Sequence, residues 1–271
     1  MELAIEYRGE GIPVLCLHGH PGTGLCMSVF TDALSRNFQT LAPDLRGYGD
    51  SRSTGPFTME QHLDDLDQIL CSLDQPCIVL GWSLGGILAI ELALKYPERI
   101  RGMILIGTAA RPAGCHPVIS WQDNLFTGVA GILNWIAPGW PWMIQTLGKR
   151  SLFRYLISQH TPQAYTRIAR EGTPAFLRTS AFANRALNRA LKQGYNRLGE
   201  LYRIQQPCLM LAAANDVHIT PESSRETAEG LPNCDWKLYD DVAHLMPWEI
   251  GAQLCDDINQ WLQKHRFIAS R

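Results

Sequence analysis

Eight cysteines lie along the 271 residues without a single CxxC pair, which removes the common signatures of a redox dithiol or a zinc ribbon. Cys16, Cys77 and Cys208 fall inside apolar runs, where cysteine serves as a small core residue in a reducing compartment. Repeats, low-complexity tracts and a phosphate-cradling P-loop are missing as well, so no cofactor is expected. An excess of basic charge is also lacking: 24 Lys and Arg face 26 Asp and Glu, a net charge of −2, and nucleic acid is not an expected partner. The opening Met1-Glu2-Leu3-Ala4-Ile5-Glu6 is acidic where a signal peptide is basic, which predicts a cytoplasmic protein.

What is present is core material, with 46% of residues hydrophobic, enough for one large α/β unit. Apolar, β-branched runs predict strands near 2–7, 12–17, 38–43, 77–82, 102–107, 208–214 and 235–239. Helical patterns lie between several of them, near 24–36, 59–73, 84–96, 221–230 and 249–264. That alternation predicts an α/β fold with a mostly parallel, doubly wound sheet covered by helices on both faces. Site loops then gather at the C-terminal ends of the strands.

Gly81-Trp82-Ser83-Leu84-Gly85-Gly86 joins the strand run Pro76 to Leu80 to a helical pattern that Pro97 stops. A serine on so tight a strand-to-helix turn is exposed as a nucleophile, and Gly81 and Gly85 supply the room the turn needs. A serine hydroxyl requires a base, an acid to orient that base, and donors for the oxyanion. His244 follows the strand-like Trp236 to Tyr239 and is the expected base. Asp216, just past the apolar run Cys208 to Ala214, is the expected acid; Asp240 and Asp241 compete but sit too close to His244 in the chain to reach round its ring. The order Ser, Asp, His supports the assignment.

For the oxyanion, the Leu84 amide at the helix start is one donor. The other is the His20 amide in the turn His18-Gly19-His20-Pro21-Gly22, which ends the strand Ile12 to Leu17. Within that turn His18 and Gly19 are read as structural. A metal pair at His18 and His20 is the rival reading, but no further ligand follows at a suitable spacing, so no metal is expected.

These stretches, with Pro43-Asp44-Leu45-Arg46-Gly47-Tyr48-Gly49-Asp50-Ser51, resemble the α/β-hydrolase family over almost the whole chain. The resemblance implies acyl transfer to water from a carboxylic ester or thioester. A serine at 83 speaks against haloalkane dehalogenases and epoxide hydrolases, which use an aspartate nucleophile. Carbon–carbon hydrolases of ring-cleavage products and cofactor-free haloperoxidases or perhydrolases share the same geometry. A receptor that keeps the fold without turnover is the reading from another class. Within the 43–51 stretch, the arginine and aspartate are expected to brace loops near the site.

About 90 residues separate the run at Met103 from that at Cys208, and they read as helical. The family places a helical cap there, which divides the chain into a core of 1–112 and 204–271 and an insertion of 113–203. From Asn124 to Gly148 no residue is charged, and Trp135, Trp140 and Trp142 lie within that run. Pro138, Gly139 and Pro141 interrupt it, which argues against a membrane span and for two short helices packed over the site as an apolar roof, with contact of the run with a membrane surface as the alternative. Such a roof implies a small apolar ester as substrate. The insertion holds eleven Lys or Arg, Lys149 to Arg203, against Asp123, Glu171 and Glu200; it carries +8 and the remainder −10. A field of that kind steers an anionic substrate or an acidic carrier protein to the site, the plain alternative being solvated faces of arginine-bearing helices.

Overall fold

The computed structural model describes residues 1–268. Seven strands, β1 (Ile5–Arg8), β2 (Pro13–Leu17), β3 (Gln39–Pro43), β4 (Cys77–Trp82), β5 (Ile100–Ile106), β6 (Cys208–Ala213) and β7 (Cys234–Tyr239), form one sheet in the order β1-β3-β2-β4-β5-β6-β7. Only β1 runs antiparallel to its neighbour; every other pairing is parallel. The central strands β2, β4 and β6 are buried along their whole length, which is why they read as unbroken apolar runs rather than alternating ones.

Alternate residues of those strands feed two cores. Val14, Cys16, Ile78, Leu80, Ile104 and Ile106 face one layer, packed with α1 (Ser28–Leu34) and, near the C-terminus, the helix Gly251–Lys264. Leu15, Leu17, Val79, Met103 and Leu105 face the other, packed with α2 (Met59–Ser72) and α3 (Leu84–Lys95). Helices therefore cover both faces, as the alternation requires. The expected helix at 24–36 is interrupted: Gly24–Met27 is a 3-10 turn and α1 begins at Ser28.

Between β5 and β6, among the described residues, there is no strand but five α-helices: α4 (Trp121–Ile136), α5 (Pro141–Thr146), α6 (Pro162–Arg167), α7 (Thr173–Leu177) and α8 (Ala181–Lys192). The chain then completes the sheet with α9 (Pro221–Gly230), the short α10 (Met246–Glu249) and α11 (Gly251–Lys264). As the prolines predict, the uncharged run forms two helices, separated at Ala137–Trp140.

The expected packing of that run is only half right. In α5, Met143 and Ile144 point inward. In α4, by contrast, Asp123, Ala130 and Asn134 are the buried residues, whereas Trp121, Leu125, Val129, Ile132, Trp135 and Ile136 are exposed. Those six side chains face solvent, and of the helix's large apolar residues Leu133 packs against the core. The buried polar groups are satisfied there: Asn134 Nδ2 donates to the Tyr165 carbonyl at 2.7 Å, and Asn134 Oδ1 accepts the Gly139 amide at 3.0 Å. Arg154 donates to Asp123 at 2.6 Å, and the Thr127 hydroxyl accepts the Leu152 amide at 2.9 Å.

Candidate active site

Ser83 stands between β4 and α3 with φ 53° and ψ −114°, a conformation that costs energy for any residue with a Cβ. The turn is tight enough that a Cβ on Gly81 would lie 2.3 Å from the Gly85 carbonyl oxygen, and one on Gly85 would lie 2.0 Å from that of Leu17. Neighbouring groups hold the strained residue. The Ser83 amide donates to Ile106 at 2.9 Å, and the Thr108 hydroxyl donates to the Ser83 carbonyl at 2.8 Å. The side chain is thereby aimed out of the turn at the C-terminal end of the sheet.

There it meets two side chains from distant parts of the sequence. His244 Nε2 is 3.1 Å from Ser83 Oγ, and His244 Nδ1 is 2.7 Å from Asp216 Oδ2. The other Asp216 oxygen accepts the amides of His218 at 2.8 Å and Ile219 at 2.9 Å. Burial alone would raise the Asp216 carboxyl, but His244 and these two amides outweigh it and hold it below the ordinary carboxylate value. An ionised Asp216 fixes the proton on Nδ1 and leaves Nε2 free to accept one from Ser83. Asp240 and Asp241, the alternatives, are both exposed.

The turn after β2 lies against the serine: a Cβ on Gly19 would stand 3.2 Å from that of Ser83. His18 is fully buried; its Nδ1 lies 2.8 Å from the Gly19 carbonyl and its Nε2 accepts the Leu45 amide at 3.0 Å. Both ring nitrogens are thus occupied, which fits a brace and leaves no lone pair for a metal. Burial lowers the His18 pKa to about 4, so the ring is neutral. His20 Nδ1 hydrogen-bonds the Tyr48 hydroxyl at 2.8 Å. Neither the His20 amide nor the Leu84 amide donates to another group among the described residues. In the 43–51 stretch, Arg46 grips Asp65 through two bonds of 2.7 and 2.6 Å, and Asp44 accepts the amides of Gly24 at 2.7 Å and Asp50 at 2.8 Å.

Three residues near the site went unassigned in the sequence. Glu249 is half-buried, and its carboxylate accepts the Ala243 amide at 2.9 Å and those of Ser158 and Gln159 at 2.7 and 2.6 Å, tying the His244 loop to the insertion. Trp82 donates from its indole to the His244 carbonyl at 3.2 Å. His218 packs on His244 with ring centroids 5.0 Å apart. A lone glutamate in the apolar stretch Leu245 to Ile250 was the available signal for the first. An open cleft of about 750 Å³ between α1, α6 and α11 lies elsewhere: none of Ser83, Asp216 and His244 lines it.

A family profile described as alpha/beta hydrolase fold matches residues 12–249. Over 110 residues the chain is 33% identical to a pimeloyl-[acyl-carrier protein] methyl ester esterase of Aeromonas hydrophila, a stretch that covers 40% of this chain and 42% of that protein. Over 101 residues it is 40% identical to a proline iminopeptidase of Pestalotiopsis fici, covering 35% of this chain and 36% of that one. The matched stretch thus spans roughly two fifths of the length of these curated relatives. A thermophilic esterase from Thermogutta terrifontis superposes with a TM-score of 0.72 at 26% identity, over 97% of this chain and 93% of the other.

Proposed function

The chain belongs to the α/β-hydrolase fold family, and from that premise we propose that it hydrolyses a carboxylic ester or thioester with an apolar acyl part through an acyl-serine on Ser83. The observation that carries the reading is the placement of the His244 ring between Ser83 and Asp216, 3.1 Å from one and 2.7 Å from the other. Ser83 Oγ attacks the carbonyl carbon as His244 Nε2 takes its proton. Charge then develops on the carbonyl oxygen, where the amides of Leu84 and His20 are the donors; one such donor is worth about 3 kcal/mol of barrier. His244 returns the proton to the departing alcohol or thiol. Water repeats the sequence on the acyl-serine and regenerates the hydroxyl. Asp216 stabilises the imidazolium formed in each half-reaction.

In this reading residues 113–203 are a cap over a core of 1–112 and 204–271, joined to the His244 loop through Glu249. The buried thiols Cys16, Cys26, Cys77 and Cys208 suit a reducing, cytoplasmic setting. An acyl group borne on an acidic carrier protein is a narrower form of the same reading. It is supported by the likeness to the Aeromonas esterase and by Arg185, Arg189 and Lys192, exposed together on α8.

A panel of p-nitrophenyl esters of increasing chain length, with a carrier-bound methyl ester included, tests both levels. Hydrolysis that rises with acyl length and vanishes in Ser83→Ala is the expected result. Turnover of no ester, or a Ser83→Ala protein as active as the parent, contradicts the proposal; equal rates on free and carrier-bound ester remove the carrier.

A further inference from the structure

Helix α4 is inside out with respect to water. At 100° per residue, Trp121, Leu125, Val129, Ile132, Trp135 and Ile136 fall within about a third of its circumference, and that third faces solvent, with Trp121 72%, Ile132 62%, Trp135 66% and Ile136 69% exposed. The opposite side carries Asp123, Thr127 and Asn134, each hydrogen-bonded to the protein. Those bonds fix the rotation of the helix, so it cannot roll to bury its indoles without orphaning the polar groups. The apolar surface continues through exposed Val118 and Ile119 before the helix and Trp140 and Trp142 after it. An exposed apolar helix face of this size marks an interaction site rather than ordinary surface.

We infer that this face docks on a lipid surface bearing anionic headgroups, with α4 lying in the interfacial plane. Two features select that occupant. Tryptophan at 121, 135, 140 and 142 is the side chain that settles at the boundary between headgroups and acyl chains. Exposed charge beside the helix is basic: Lys149 and Arg150 are exposed in the turn that packs on α4, and the single acid of the helix, Asp123, is buried and paired with Arg154. The insertion as a whole carries +8 against −10 elsewhere, so an anionic surface attracts the insertion rather than the remainder of the chain. A second copy docked through the same face would set two such insertions against one another, and like charge disfavours it. No helix among the described residues is long and apolar enough to cross a membrane, so the helix lies on the surface and does not span it.

The inference is independent of the ester chemistry, and the test uses Ser83→Ala protein so that the two can fail separately. Full-length protein is sedimented with vesicles of phosphatidylcholine alone and of phosphatidylcholine with phosphatidylglycerol, across a range of salt. Expected is partitioning onto the anionic vesicles that weakens as salt rises, and a loss of about tenfold or more in Ile132→Asp/Trp135→Asp. Both residues are exposed, so the double variant should keep its helical signal. Lys149→Glu/Arg150→Glu should lower partitioning at low salt. The inference is overturned if the parent stays in the supernatant with anionic vesicles at low salt, or if the Ile132→Asp/Trp135→Asp protein partitions like the parent. It also falls if, without lipid, the parent sediments as a dimer that this double variant converts to monomer, because the face then belongs to a second copy.

Discussion

The neutral histidines beside the site set how the protein meets acid. Burial lowers His18 to a pKa of about 4 and His62 to about 3, from an ordinary 6.5. Between those values the unfolded chain binds protons that the folded one refuses, so folding stability is full above pH 6.5 and falls as pH drops toward 4. Each histidine contributes a slope of about 1.4 kcal/mol per pH unit within its window. A melting series from pH 8 to pH 4 should show a plateau and then a decline, shallower in His62→Leu than in the parent; an identical decline in the two proteins would remove His62 from the account. His62 is suited to the test because its Nδ1 is buried without a hydrogen-bond partner. His18 is not, since its ring holds Gly19 and Leu45. The residue types at Ser83, Asp216 and His244 were legible in the sequence because each must stand at the end of a strand, where its neighbours announce it. Trp82 and Glu249 were not, since their bonds reach the backbone of His244 and of Ala243, Ser158 and Gln159 across the fold.

At the level of elements, β2, β4 and β6 declared themselves through continuous apolar runs, whereas α4 was read the wrong way round. Periodicity measures the contrast between two faces of a helix, and it does not say which one meets the core. Here the polar face does. The consequence is a reversal of the usual cost of substitution on one helix. Asn134→Ala removes the bonds to Tyr165 and Gly139 and leaves a buried amide without its acceptor, at a cost of about 1–3 kcal/mol. Its neighbour Trp135, 66% exposed, should change stability by no more than about 0.5 kcal/mol when replaced by serine. Urea midpoints of the two variants measure this directly, and a tryptophan that proves the costlier of the pair would mean that α4 packs the other way.

Over the whole molecule, the sequence carried the count of strands and their parallel character but not their order. The sequence β1-β3-β2-β4-β5-β6-β7 is chosen by packing between distant segments, which leaves no local trace in composition. That order is nevertheless what places β4 centrally and sets the ends of β4, β6 and β7 along one edge of the sheet, with β5 between the first two, so that Ser83, Asp216 and His244 meet although 161 residues separate the first from the last. The reaction proposed for the chain rests on this convergence making Ser83 the attacking group. Acid-quenched mass spectrometry during turnover of a slowly hydrolysed ester reads it most directly. The predicted result is a single acyl adduct on the peptide bearing Ser83, formed within the first turnover and absent from both Ser83→Ala and His244→Ala. An adduct on any other residue, or steady turnover with unmodified Ser83 in a protein that still hydrolyses ester after Ser83→Ala, would contradict it.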